Sequence, residues 1–307
     1  MPVTRRTVMA TAACGLSAFA AAPAWSMAPF ARDLFATRLP VPLAHGLLTA
    51  SDGEKIAWSR FGTGDVAVIL IHGAMCDQSY WFAQIAALAK RYRVVTLDLP
   101  GHGGSSIMRR NWTMPAFASD VARVVRHGAG GRPAYLVGHS MGGVVAALTT
   151  AMLPETIGLS AIDIFTTARP PAVPLASVAT GPAYVAEARI AIRRGMFAPR
   201  SDAATADLIA QALAGAPQAI AASVRGATQA VVGAPALAAM SASVPLSLIN
   251  SDRHPYNLAE LRSVHTLTDG VIVDDVGHFV MIDAPDAVNA LLIRTIEHTQ
   301  LSNIRAF

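Results

Sequence analysis

From about residue 56 onward, short apolar runs alternate with longer stretches whose apolar positions recur at helical spacing. Ile56–Phe61, Val66–Ile71, Arg93–Leu97, Ala134–Val137, Leu159–Phe165, Leu246–Ile249 and Val271–Val273 read as strands. Several are apolar without interruption, as strands covered on both faces of a parallel sheet are. Trp81–Lys90, Met114–His127, Gly142–Leu153 and Pro285–His298 read as helices, and in the second of these Val121, Val124 and Val125 gather on one side. Strands alternating with helices predict βαβ units: an α/β protein with a mostly parallel sheet flanked by helices.

One region breaks this rhythm. Residues 167–237 are rich in Ala, Gly and Pro, carry helical runs at Ala183–Arg193 and Ala203–Ala214, and show no strand pattern. A structureless linker of that length is uncommon inside a domain. The stretch is therefore expected to be a helical insertion, a cap, dividing a core made of residues 27–166 and 238–307.

Composition narrows the classes. Hydrophobic residues make up 53% of the 307 and charged residues 14%, so the chain can bury a large core and is not a disordered one. Outside the N-terminus no apolar run approaches the roughly 20 residues that span a bilayer, so no integral membrane segment is expected in the mature protein. No basic cluster exceeds two residues, which argues against nucleic acid as a partner. The two cysteines, Cys14 and Cys76, form no zinc or disulfide pattern.

Residues 1–26 have the layout of an export signal. Arg5 and Arg6 precede an uncharged apolar stretch that ends in small residues, with Ala24 and Ser26 at A-x-A-like positions. The paired arginines resemble a twin-arginine signal, although Thr4–Met9 lacks the full motif and Sec export stays open. A periplasmic or secreted mature chain beginning near Met27 is expected. Removal of the leader takes Cys14 with it and leaves Cys76 unpaired, as a small buried hydrophobe or a pocket-lining thiol. It also leaves 22 basic against 20 acidic residues.

The candidate chemistry centres on Gly138-His139-Ser140-Met141-Gly142, a G-x-S-x-G between an apolar strand and a small-residue helix. That is the context of a nucleophile elbow, a sharp turn that exposes a serine at the carboxyl end of a sheet. A serine hydroxyl is a weak nucleophile and needs a base. The chain order Ser…acid…His points to His278, in Val276-Gly277-His278-Phe279 after the last strand. His72 and His102, in turns after strands, read as structural. His139 is expected to point away from the reaction, His298 lies on the terminal helix, and His254 and His265 stay open on order alone. An oxyanion hole needs two backbone N–H groups: Met141, after the nucleophile, and Ala74, after the strand ending Ile71-His72-Gly73.

Taken together, Ile71-His72-Gly73-Ala74, Asp98-Leu-Pro-Gly-His-Gly-Gly-Ser105, Gly138–Gly142 and Gly277-His278-Phe279 resemble the α/β-hydrolase fold family, in its esterase branch with a helical cap. The resemblance runs from about Ile56 to His298. It implies an α/β-hydrolase fold, cleavage of a small-molecule carboxylic ester by a Ser-His-Asp mechanism, and no cofactor. The apolar cap points to a partly hydrophobic substrate.

The acid is ambiguous. In many relatives it follows the strand after the cap, where this chain reads Pro245-Leu-Ser-Leu-Ile-Asn-Ser-Asp252-Arg-His254-Pro255. His254 stands where the acid usually stands, and Asp252 is two residues early. Other relatives place the acid at the end of the strand before the cap, which Asp163 fits. Asp163 and Asp252 both stay open, with Asp274, Asp275 and Asp283 as further carboxylates. Function stays open as well, because one fold hosts many chemistries. A cofactor-free perhydrolase, oxidase or lyase using the same residues, or a non-catalytic ligand-binding protein, competes with the esterase.

Overall fold

The computed structural model describes residues 34–110, 112–166 and 182–305. The expected export signal, with Cys14, and residues 167–181 of the expected cap lie outside the described residues.

The strands are β1 (Ala44–Thr49), β2 (Lys55–Phe61), β3 (Ala67–Ile71), β4 (Arg93–Leu97), β5 (Ala134–His139), β6 (Thr156–Ile162), β7 (Leu246–Ser251) and β8 (Thr268–Val273). The helices are α1 (Phe82–Leu88), α2 (Met114–Gly128), α3 (Met141–Thr150), α4 (Pro182–Met196), α5 (Ala203–Ala214), α6 (Gln218–Val231), α7 (Ala234–Ala238), α8 (Leu258–Val264), α9 (Val280–Asp283) and α10 (Pro285–Arg305). The strands form one sheet in the order β1-β2-β4-β3-β5-β6-β7-β8. β2 pairs antiparallel with β1 and with β4, and every pair from β4 to β8 is parallel.

Apolar alternation explains how the sheet is covered on both faces. Along β3, Ala67, Ile69 and Ile71 face a core shared with Phe117, Val121 and Val124 of α2 and Val144 and Val145 of α3. Val68 and Leu70 face a second core with Ile85 of α1 and Val288, Leu292 and Ile296 of α10. Local signals close the helices. Thr113 caps α2, its hydroxyl accepting the Ala116 N–H at 3.3 Å with Pro115 just inside, and Asp202 caps α5 through the Thr205 N–H at 2.8 Å.

Between β6 and β7 the described residues hold four helices, α4 to α7, and no strand. Ile192 of α4 and Ile209 of α5 join the core of the α10 face, whereas Val224 of α6 and Leu237 of α7 join the core of the α2–α3 face. The insertion thus contributes side chains to both cores. Among the described residues no helix is long and apolar enough to cross a membrane.

Two expectations need correction. The strand before the insertion ends at Ile162, not Phe165. Asp163 and Phe165 adopt φ of 52° and 59°, left-handed backbone that cannot continue a ladder. β1 is an additional edge strand whose residues alternate between half-buried and exposed, so it shows no apolar run.

The order of strands places the site. β3 lies between β4 and β5, so the chain leaves it towards opposite sides of the sheet. In open α/β sheets the crevice beyond the carboxyl ends of strands at such a reversal holds ligands. The loops after β3 and β5 carry Ala74 and Ser140 to that crevice.

Candidate active site

Ser140 joins β5 to α3 with φ 51° and ψ −123°. A non-glycine residue in that strained region is an elbow that its surroundings enforce. Its N–H donates to the Ile162 carbonyl at 2.9 Å and its carbonyl accepts from Gly143 at 2.8 Å, so both backbone groups are fixed. A side chain at Gly138 would collide with the Gly142 carbonyl, and one at Gly142 would collide with the carbonyls of Ile71 and His72. The glycines therefore let β5, α3 and the end of β3 approach closely. That contact brings the loop bearing Ala74 against the first turn of α3, which begins at Met141.

His72, buried, locks the Ala74 loop. Its Nδ1 donates to the Gly73 carbonyl at 2.7 Å and its Nε2 accepts from the Leu99 N–H at 2.9 Å. Burial, with His102 next to it, holds its pKa well below the usual imidazole range, so it is neutral. His102 has a similar role: burial pushes it down to about 4, and Nδ1 donates to the Pro100 carbonyl at 3.0 Å. Asp98 organises the same corner, accepting from the N–H groups of Gln78 and Gly104, each at 2.8 Å. Cys76 is buried, its thiol 3.5 Å from the Ala74 carbonyl, and burial raises its pKa well above the usual thiol range. It is therefore a neutral thiol packed behind the loop.

His278 follows β8 and is held from two sides. Its N–H donates to the carbonyl of Met196, the last residue of α4, at 2.7 Å. Its carbonyl accepts from Nε2 of His139, the residue before Ser140, at 2.9 Å, and the two rings are 4.7 Å apart. His139 is thus the strut between the elbow and the His278 loop. Burial, reinforced by His278, pushes His139 down to about 3, so it is neutral with its proton on Nε2. Asp283 supports the loop as well, accepting from the Gly277 N–H at 2.8 Å and the Ser201 hydroxyl at 2.7 Å. Phe279 stacks on Phe197 at 5.4 Å.

The carboxylate at His278 is that of Asp163: Nδ1 to Oδ2 is 2.6 Å. Oδ1 accepts from the Ser251 N–H at 2.8 Å, and Oδ2 also accepts from Nδ1 of His254. Burial alone would raise this acid. The hydrogen bonds from His254 and His278, with their partial charges, outweigh it and hold Asp163 well below the usual carboxylate range. Asp252 stands apart: its side chain is exposed and its backbone N–H donates to Val273 at 3.1 Å. Asp274 is exposed, and Asp275 is exposed and paired with Arg200 at 2.9 Å. The structure therefore brings together His278, Asp163 and the elbow flank, and leaves Asp252 outside. His265 is remote, its Nε2 at 3.3 Å from the Ser241 carbonyl.

His254 is the group sequence reasoning did not place. Its signal was its position, on the strand-end loop where an acid usually stands. Asp163, His254 and His278 offer ligand atoms within 4.8 Å of one another. The 2.6 Å between His278 Nδ1 and the carboxylate is tighter than the spacing of about 3.3 Å between ligands of a tetrahedral zinc ion. The cluster has the spacing of N–H···O bonds.

Three comparisons bear on this site. The model of the family described as "Alpha/beta hydrolase family" matches residues 68–291. The dihydrolipoyllysine-residue acetyltransferase component of the acetoin cleaving system of Cupriavidus necator is 41% identical over 106 residues, 34% of this chain and 28% of that protein. The pimeloyl-[acyl-carrier protein] methyl ester esterase of Aeromonas hydrophila is 33% identical over 104 residues, 34% of this chain and 39% of that protein. The chain thus matches well under half the length of these curated relatives. The crystal structure of a hydrolase from Pseudomonas aeruginosa is similar with a TM-score of 0.67, at 19% identity over 83% of this chain and 98% of that one.

Proposed function

This chain belongs to the alpha/beta hydrolase family, and on that footing we propose that it is a serine hydrolase that cleaves a carboxylic ester through an acyl-enzyme. The observation that carries the reading is the Asp163 Oδ2 to His278 Nδ1 contact at 2.6 Å. An ionised carboxylate only accepts, so His278 carries its proton on Nδ1 and presents Nε2 as a base.

Ser140 Oγ adds to the ester carbonyl while His278 Nε2 takes its proton. The tetrahedral oxyanion draws on the N–H groups of Met141 and Ala74. Collapse expels the alcohol, which receives the proton from His278 and leaves the acyl group on Ser140. Water, deprotonated by His278, then releases the acid and restores the serine. Asp163 stabilises the imidazolium of each step. The named activity of the Aeromonas relative, a methyl ester esterase, is in line with this chemistry. The acetyltransferase name of the Cupriavidus relative also describes acyl transfer.

Turnover of p-nitrophenyl esters by the purified protein tests the reading. Wild type should hydrolyse them, and Ser140→Ala should lower kcat by several orders of magnitude with an unchanged circular dichroism spectrum. No turnover across a series of acyl lengths, or full turnover by Ser140→Ala, contradicts it.

A further inference from the structure

Asp163 holds one imidazole more than ester hydrolysis uses. Oδ2 accepts from Nδ1 of His278 at 2.6 Å and from Nδ1 of His254, while Oδ1 takes the Ser251 N–H at 2.8 Å. The rings of His254 and His278 stand edge to face, centroids 5.5 Å apart at 85°. Their side chains are 15% and 14% exposed, against 0% for the carboxylate between them.

The second imidazole is anchored there. The His254 N–H donates to the Ser251 carbonyl at 3.1 Å, and its carbonyl accepts from Asn250 Nδ2 at 2.9 Å. The same Asn250 amide donates to the Ile164 carbonyl at 3.1 Å and its oxygen accepts the Ile164 N–H at 3.3 Å. One buried side chain therefore ties the His254 turn to the turn that carries Asp163. Ordering this bridge costs conformational entropy, which a stray surface contact would not repay.

We propose that His254 is a positioning residue that divides the Asp163 carboxylate with His278 and so sets how strongly that carboxylate supports the base. The inference rests on the Ser140–His278–Asp163 reading. Two Nδ1–H donors on one oxygen each receive a weaker bond than one would. The imidazolium that forms on His278 during acylation is correspondingly less stabilised. Among the described residues, other ionisable groups near His254 include His139, beyond His278, and its chain neighbours Asp252 and Arg253. Arg253 is turned to the cap, its guanidinium on the Arg194 carbonyl at 3.3 Å.

His254→Phe removes the donor. His254→Asn keeps a neutral donor near the position of Nδ1. The pH dependence of kcat/KM and the downfield imidazole N–H proton resonances are measured in wild type and both variants. In His254→Phe the acid limb should move to higher pH by about 0.5–1 unit, and His254→Asn should recover most of the displacement. Of two downfield resonances in wild type, His254→Phe should lose one and shift the other further downfield, as His278 gains the whole oxygen. A merely structural His254 would lower kcat and leave the acid limb in place, which overturns the proposal. So does a remaining resonance that does not move, an outcome readable without turnover. Absence of ester turnover in wild type together with the expected resonance shifts would instead contradict the esterase reading and keep the shared carboxylate.

Discussion

The turns after β6 and β7 are neighbours in a parallel pair, in register from Leu159↔Leu246 to Ile162↔Ile249. Each strand is followed directly by an aspartate, yet the two side chains meet opposite fates. Asp163 is buried and lies on two imidazoles, whereas Asp252 is exposed. The difference comes from where each ladder ends. β6 stops at Ile162, the Asp163 N–H closes on the Ile249 carbonyl at 3.1 Å, and φ of 52° turns the carboxylate across the end of the sheet. β7 runs on to Ser251, so that the Ser251 N–H becomes a donor to Asp163, and Asp252 leaves with its N–H still paired to Val273. One chain end supplies the carboxylate and its neighbour supplies a hydrogen bond to hold it. Residue type alone did not distinguish them; strand length did.

The strongest way to break this comparison is Asp163→Asn. The amide preserves shape but favours the wrong imidazole tautomer at His278, and kcat should fall about ten-thousandfold. A loss under about a hundredfold, measured with p-nitrophenyl esters, would show that another group orients the base.

Stability against pH gives the next effect, because the loops after β3 and β4 rest on neutral buried histidines. Burial holds His102 at about 4, below the value near 6.5 of a free imidazole. As pH falls the unfolded chain takes up the proton first, so this contribution is full above about 6.5 and is lost between about 6.5 and 4. For His102 alone it amounts to about 3 kcal/mol. Tm should decline steeply over that window, and less steeply in His102→Asn, which keeps a donor for the Pro100 carbonyl. Equal slopes would remove His102 from the account.

Asp283→Asn comes third. It weakens the carboxylate that gathers the Gly277 N–H and the Ser201 hydroxyl behind His278, and kcat should fall about tenfold through a looser base. Asp252→Asn is the smallest: with no role at the imidazoles, it should leave kcat within about twofold of wild type. A larger loss than that of Asp163→Asn would reverse the roles assigned to the two turns.

What the sequence made legible follows the same logic. The elbow could be read because glycines at 138 and 142 mark backbone contacts that admit no Cβ, and the core strands because Val66–Ile71 is apolar throughout and Arg93–Leu97 carries Val94, Val95 and Leu97. The edge strand β1 could not, since half its positions face water. Which aspartate lies on His278 could not either: it depends on a one-residue turn with positive φ at Asp163, a conformation that no local pattern announces. His139 was expected to point away from the reaction; it lies on the His278 carbonyl, and its use as a strut needed the β8 loop in place. His254 was visible only as a residue standing in an acid's usual position.

The central claim is that Ser140 is the nucleophile of an acyl-transfer site, and the most direct measurement is covalent. The protein is treated with a fluorophosphonate probe, digested and mapped by mass spectrometry, alongside Ser140→Ala. The account predicts one equivalent of probe on the peptide containing Gly138–Gly143, attached at Ser140, and none on Ser140→Ala. Probe on another residue, or labelling that persists in Ser140→Ala, would contradict it.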